Sequence, residues 1–164
     1  MTSKITLEQV SYANPKHRQV LNSCLKSWFA NPRDLNLTDP RMNYPFDFRQ
    51  WIKLAYSNDD TVTYVLKTND WIIGYFSLLL PLGKRTATLF HVFIDRGHRG
   101  KRLGNTLLLH AEAEVAKHDY NRIRLKVLPK NSIALQLYES AGFIQTGATI
   151  NKSLIFEKRI SGDR

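Results

Sequence analysis

ATLFHVFIDRGHRGKRLG, residues 87–104, passes from an apolar run into a stretch that holds Arg96, His98, Arg99, Lys101 and Arg102 among three glycines. The first half reads as a strand. From Leu103 the apolar positions Leu107, Leu108, Ala111 and Val115 recur at helical spacing to about Lys117. A glycine-containing turn that feeds a helix presents free backbone N–H groups, and the helix dipole adds favourable potential for an anion there. Each charge-assisted N–H bond contributes roughly 1.5–3 kcal/mol and the dipole about 0.3–1 kcal/mol more, so several N–H groups outweigh any single surface arginine. The geometry suits a pyrophosphate. The glycine spacing is neither that of a dinucleotide G-x-G-x-x-G unit, with its later acidic residue, nor that of GxxxxGK[ST].

Working outward, ITLEQVS (5–11) alternates as a half-buried strand does, and Asn14 and Pro15 end it. Val20, Leu21, Cys24, Leu25, Trp28 and Phe29 then fall at helical spacing, and NPRDLNLTDPRMNYP (31–45), with three prolines, reads as a long loop. Phe48, Trp51, Ile52 and Ala55 share one face of a second helix. TVTYVLK and WIIGYFSLLL are strands joined by TND, a hairpin signature. After the central stretch, RIRLKVL is a strand. NSIALQLYESAG is a helix with Gly142 where a left-handed residue is wanted, and FIQTGATI and SLIFEKRI close as a hairpin. Three hairpin-linked strands followed by strand, helix, strand, helix, strand give a mixed sheet with helices on both faces. No composition shift divides the chain in two.

At 164 residues the chain is one ordinary domain, able to bury roughly 70% of its unfolded surface. The formal net charge of +10 fits anionic partners: nucleic acid, a phosphorylated cofactor, acidic metabolites or an acidic protein surface. There is no polybasic tail, and no RNA-binding aromatic motif or repeat, which disfavours nucleic acid. The single cysteine, Cys24, excludes an internal disulfide, and no Cys/His spacing resembles a metal site, so a reducing, cytoplasmic setting is expected. The start lacks the apolar core of a signal peptide, and WIIGYFSLLLPL is about half a membrane span, so no membrane partner is expected.

The turn and the downstream NSIALQLYESAGF (131–143) occur together in the order, spacing and context of the GNAT N-acetyltransferases, which use acetyl-CoA. The resemblance covers about residues 62–160, and in motif spacing is similar to the ribosomal-protein N-terminal acetyltransferase type. It implies a single-domain α/β GNAT fold over 1–164, with a mixed central sheet of six to seven strands and about four helices. Residues 1–60 would form the acceptor side and 62–160 the acetyl-CoA core and final hairpin. The family motif R/Q-x-x-G-x-G/A reads here Arg99, Gly100, Lys101, Arg102, Leu103, Gly104, with arginine at the middle glycine. Positive φ is strained for arginine, so an ordinary conformation is expected at Arg102.

Position by position, the resemblance implies that Val92, Phe93 and Ile94 offer strand backbone to the pantetheine arm, as a peptide adds to a sheet edge. Arg99 opens the turn, Gly100 to Asn105 hold the pyrophosphate, Asn131 bonds the pantetheine, and the Tyr138 hydroxyl gives its proton to the departing thiolate. At the positions where relatives carry a base, this chain has Thr88 and Phe90, neither of which takes a proton. His91 is expected on the opposite strand face unless a bulge intervenes. Lys126 stands where relatives that acetylate protein N-termini carry a glutamate; it either repels an ammonium or merely solvates its strand.

The expectation is direct attack of a primary amine, on a small molecule or peptide N-terminus, on the acetyl-CoA thioester, with no metal. Acceptor specificity is expected within 28–56, among Trp28, Phe29, Tyr44, Phe46, Phe48 and Trp51, and there chiefly in the 31–46 loop. Two other classes are a non-catalytic acyl-CoA-binding module and a basic RNA- or ribosome-associated protein. The edges of the last hairpin leave a homodimer admissible.

Overall fold

The computed structural model describes residues 4–160. The chain runs β1 (Thr6–Val10), α1 (Pro15–Trp28), α2 (Pro32–Thr38), α3 (Phe48–Ala55), β2 (Thr61–Thr68), β3 (Trp71–Leu79) and β4 (Thr86–Ile94). It continues through a short 3-10 turn (Arg96–His98), α4 (Leu103–Lys117), β5 (Arg122–Val127), α5 (Ser132–Ser140), β6 (Ile144–Ala148) and β7 (Leu154–Arg159). These strands form one sheet in the order β1-β2-β3-β4-β5-β7-β6, antiparallel at every step except the parallel β4–β5 pair. This is the mixed α/β sheet expected, at seven strands. The outer ends of the expected 1–164 unit, residues 1–3 and 161–164, lie outside the described residues.

Local chemistry sets the boundaries. Asn69 and Asp70 both take positive φ, the geometry of the two-residue turn that closes β2 onto β3. α1, α2, α3 and α5 begin at Asn14, Asn31, Asp47 and Asn131, whose side chains accept from backbone N–H groups of the first turn. α5 ends in a Schellman motif: the N–H of Phe143 donates to the Tyr138 carbonyl at 3.0 Å and that of Gly142 to Glu139 at 3.1 Å. Gly142 sits at φ 96°, and the Tyr138 and Phe143 rings meet edge to face. Among the described residues there are five α-helices rather than about four, because the 31–45 stretch is not all loop. Asn31 caps α2 and Pro32 occupies its first turn, where the missing N–H costs nothing. Val20, placed with the apolar stripe of α1, is 54% exposed; Leu21 and Leu25 face the sheet.

Two cores sit on the two faces of the sheet. α4 and α5 cover one, with Leu107, Leu108, Ala111 and Val115 packed on Leu66, Phe76, Leu125 and Phe156. α1, α2 and α3 cover the other over β1 to β4, with Leu21, Leu25, Phe29 and Trp51 against Val65, Tyr75 and Phe93.

β4 changes face in the middle. Ala87 and Leu89 belong to the α4 side, but so do Val92 and Ile94, while Phe93 lies in the opposite core. The register with β3 shifts between Tyr75, opposite Phe93, and Ser77, opposite Phe90, so Phe76 faces two residues of β4. His91 takes φ 55° at this bulge. The bulge puts Phe90 and His91 on the same side, so the imidazole does not point away as plain alternation predicts; both rings contact Tyr56. His91 is buried, stacked on Trp51 with centroids 3.9 Å apart. Its Nε2 lies 2.7 Å from Asp39 Oδ2, and its Nδ1 lies 2.7 Å from the Tyr56 hydroxyl.

With the His91 ring neutral, as its burial favours, the donors in this network run in one direction. Trp51 Nε1 donates to Tyr12, Tyr12 to Tyr75, Tyr75 to Tyr56 and Tyr56 to His91, whose other nitrogen donates to Asp39. Arg41 holds Asp39 through two further bonds, at 3.0 and 2.9 Å. Burial alone would raise the Asp39 carboxyl, but the His91 and Arg41 bonds outweigh it and hold it well below the usual carboxylate range. Burial lowers the His91 pKa, so the ring is neutral with its proton on Nε2.

In the unfolded chain His91 titrates near 6.5. Just below that pH the unfolded state binds a proton that the folded state does not, so stability falls with pH. We expect urea-unfolding free energies to decline from pH 7 to pH 5, and His91→Gln to flatten that slope; an unchanged slope would mean that another group sets it.

Candidate active site

β4 and β5 pair over only three residues each, Thr86 to Thr88 against Arg122 to Arg124. Beyond that β5 stays on β7 and β4 stays on β3, so the two strands part. The Asp95 N–H donates to Ile73 across β3, which puts Phe93 in bonding register with Tyr75 and turns the backbone of Val92 and Ile94 toward the gap. The Ile94 carbonyl accepts from Arg99 Nε at 2.9 Å, leaving Val92 the more open of the two.

The turn at the end of β4 divides its cations. Arg96 bonds Asp34 at 3.1 Å, and Arg99 reaches the same carboxylate at 3.5 Å while lying 4.9 Å over the Phe93 ring. His98 bonds Asp95 at 2.8 Å, and Asp95 also accepts from Trp28 Nε1. Arg96 and Arg99 thus tie the turn to α2, and Asp95, which His98 also holds, ties it to α1 through Trp28. The side chains of Lys101 and Arg102 are exposed and have no partner among the described residues.

α4 starts differently from the other α-helices described. Its N-cap is Arg102, with no side-chain bond to the first turn, so the N–H groups of Leu103, Gly104 and Asn105 have no acceptor among the described residues. Arg102 has φ 61°, not the ordinary conformation expected. With Gly100 at φ 81° two residues earlier, the chain turns sharply from β4 into α4, and the side chain at 102 accepts a cost of about 1–2 kcal/mol. Leu103 itself is buried in the α4 core, so only its backbone is presented. At Gly104 a Cβ would stand 3.0 Å from Leu137, which lets α4 and α5 approach closely.

Asn131 uses its side-chain oxygen to cap α5 by accepting from Ala134 N–H. Tyr138 is buried on the same helix, and its hydroxyl has no partner among the described residues; burial pushes its pKa up and keeps the phenol protonated. Lys126 is exposed on β5. The Cys24 thiol is pushed up to about 12 by burial and the Asp95 charge, so it is no nucleophile. Among the described residues no His, Cys, Asp and Glu cluster is arranged for a metal, and no helix is long and apolar enough to cross a membrane.

A cavity of about 460 Å³ lies where Trp28, Asn31 and Asp34 meet Phe93 and Asp95. A larger one, about 730 Å³, lies between α1 and residues 41–50 and touches neither β4, β5 nor the turn. Of the aromatic residues expected to read an acceptor, Phe29 and Trp51 are core and Phe46 packs on both, whereas Tyr44 is 55% exposed. Asp39, Tyr56 and Tyr12, which fasten His91, had no sequence signal; Asp39 is 52 positions from its partner.

The acetyltransferase (GNAT) family profile matches residues 23–143. Over 67 residues the chain is 37% identical to the [ribosomal protein bS18]-alanine N-acetyltransferase of Escherichia coli (strain K12), a stretch that is 41% of this chain and 44% of that protein. The match therefore spans less than half the length of the curated relative. The spermidine N-acetyltransferase of Vibrio cholerae, solved with CoA and spermine, superposes with a TM-score of 0.77 over 96% of both chains at 18% identity. The ribosomal-protein-S18-alanine N-acetyltransferase of Escherichia coli superposes with a TM-score of 0.65 over 96% of this chain and 94% of that one, at 18% identity. At such identities the superpositions speak for the fold. The family profile spans most of the chain and includes both the turn and the Tyr138 helix, and the chain belongs to the acetyltransferase (GNAT) family.

Proposed function

We propose that the protein is an acetyl-CoA-dependent N-acetyltransferase that works by direct attack of a primary amine, on a small molecule or peptide N-terminus. The observation that carries this reading is the uncapped start of α4, set at the end of a strand that has parted from its neighbour. The gap between β4 and β5 has Val92 and Ile94 backbone along it, where an extended arm can add as a strand does. The free N–H groups of Leu103 to Asn105, with Gly100 and Lys101 in the turn before them, suit a pyrophosphate. Asn131 keeps its amide NH2 for a ligand carbonyl. The single cysteine fits a cytoplasmic setting.

Acetyl-CoA, as co-substrate, supplies an activated acetyl thioester. The amine nitrogen bonds to the carbonyl carbon, the carbon–sulfur bond breaks, and the thiolate takes up a proton. Tyr138, held protonated by burial, serves as hydrogen donor to that sulfur and never as base. No carboxylate stands at Thr88, Phe90 or Lys126, and both His91 nitrogens are engaged. The amine therefore loses its proton to water. For a lysine-like amine of pKa about 10.4 this costs some 4 kcal/mol at pH 7.4, against under 1 kcal/mol for an α-amine near 7.8, so a low-pKa amine is the preferred acceptor.

Acetyl-CoA at one hundred times its dissociation constant should raise the melting temperature by roughly 5–10 °C, and amines should then release free thiol. No shift at millimolar acetyl-CoA would refute the assignment. Tyr138→Phe should lower kcat about 10²-fold with little change in the acetyl-CoA KM. Because the hydroxyl has no partner, its melting temperature should match wild type within about 2 °C; unchanged turnover removes the proposed donor. Arg102→Gly separates backbone from charge. Relief of the left-handed arginine should stabilise the fold by about 1 kcal/mol. If the guanidinium meets a phosphate, the same variant binds acetyl-CoA several-fold more weakly by calorimetry, and equal affinity would assign the turn to backbone alone.

A further inference from the structure

β5 alternates between two environments. Ile123, Leu125 and Val127 are buried beneath α4 and α5, so Arg122, Arg124 and Lys126 point to the opposite face of the sheet. Over β1 to β4 that face is covered by α1, α2 and α3, but the apolar cluster there draws no described residue from β5, β6 or β7. Among the described residues half the sheet is therefore bare on this side, and the bare half is basic. Glu157 of β7 bonds Arg124 at 2.9 Å and lies 3.5 Å from Arg122. Lys126 and Arg159 are exposed and have no side-chain partner among the described residues. Among the described residues of β5 and β7 on this face, one carboxylate thus stands among four cations.

The row leads to the gap. Thr88 and Arg124 form the last rung between β4 and β5, and continuing that register sets Lys126 across the gap from Phe90, on the face that carries Tyr56. The other face is closed by α4 and α5, so a second substrate reaches the gap over the basic row. Side chains two apart on a strand are about 6.5–7 Å apart, and an extended peptide repeats at the same distance. A small amine with one anionic group meets Lys126 alone; an extended segment with acidic residues at alternate positions meets Lys126, Arg124 and Arg122 in turn. The bare face has Ile144 and Ile155 but no aromatic ring among its described residues on which a nucleobase would stack.

We propose that the acceptor is the free amino end of an acidic, extended peptide segment, laid across the bare face of β5 and β7 and read by Arg124 and Lys126. The inference rests on the N-acetyltransferase reading above. It also accounts for the lysine at 126: a cation beside the gap repels a polyamine or a basic N-terminus and favours an amine whose chain carries carboxylates.

The test is thiol release by the full chain with acetyl-CoA and six-residue peptides that begin with alanine. One peptide carries glutamate at its third and fifth positions and the other lysine at both; spermidine, free glutamate and single-stranded RNA are further arms. The acidic peptide should show a KM at least tenfold below that of the basic one, with the gap narrowing as salt rises. Lys126→Glu alone, and with Arg124→Glu, should reverse the order of the two peptides while the acetyl-CoA melting shift persists. Equal use of both peptides, preference for spermidine, free glutamate matching the acidic peptide, or RNA displacing acidic peptide as the tighter ligand would each overturn the proposal. A missing melting shift, or no thiol release with any amine, would instead defeat the reading on which it rests.

Discussion

The bond between His91 and Asp39 ties the bulge of β4 to the end of α2, 52 positions away in the chain. A histidine at φ 55° costs about 1–2 kcal/mol, and such a residue persists only where its surroundings over-determine it. Here they do. Asp39 and Tyr56 each hold one ring nitrogen at 2.7 Å, and Trp51 stacks on the ring. The bulge that results hands Val92 and Ile94 to the α4 side and Phe93 to the other core. Without that change of parity the segment after Phe90 would keep its alternation, and Phe93 would be withdrawn from Trp28 and Phe29, whose rings it contacts. Within the network the Tyr56 hydroxyl meets His91, Tyr75 and Ser77 together. The network's work is to fix the strand.

The basic turn looks from its composition like a uniform cationic patch, yet its charges have two separate uses. Arg96 and Arg99 converge on Asp34, which is buried in α2, and His98 and Trp28 share Asp95. These contacts hold the turn against α1 and α2 from outside the helix it precedes. α4 can then begin without a capping side chain, because its entry is already fixed. Its open N–H groups are the unusual feature, and they exist because the position that would hold a capping oxygen holds Arg102 instead.

What the sequence makes legible is what is local. The α4 stripe from Leu103 to Val115, the Asn69-Asp70 hairpin and the Gly142 stop each depend on residues within a few positions of one another, and each is where spacing puts it. α2 has a local signal too, Asn31 before Pro32, but three prolines in the same stretch outweigh it on composition alone. The bulge is different. Whether His91 points with or against Phe90 depends on Asp39 and Tyr56, reached only after α2, α3 and three strands have packed. Arg102 fails for a related reason: intrinsic preference argues against left-handed arginine, but the requirement to pass from β4 into α4 is imposed by packing on both sides.

The same tertiary logic separates the two substrates. α4 and α5 close one face over the full run from β3 to β7, whereas α1 to α3 stop at β4. The edge of that second layer falls beside the gap between β4 and β5. Tyr56 stands at this edge, its hydroxyl held by the His91 network and its ring against Phe90. The gap is therefore flanked by the Tyr56 and Phe90 rings on the β4 side and, among the described residues, by open, cationic sheet on the β5 side. No carboxylate stands at positions 88, 90 or 126, so on the proposed reading selectivity on this side comes from where charge sits along the acceptor. On that reading Lys126 belongs to the choice of substrate and not to the chemistry at sulfur.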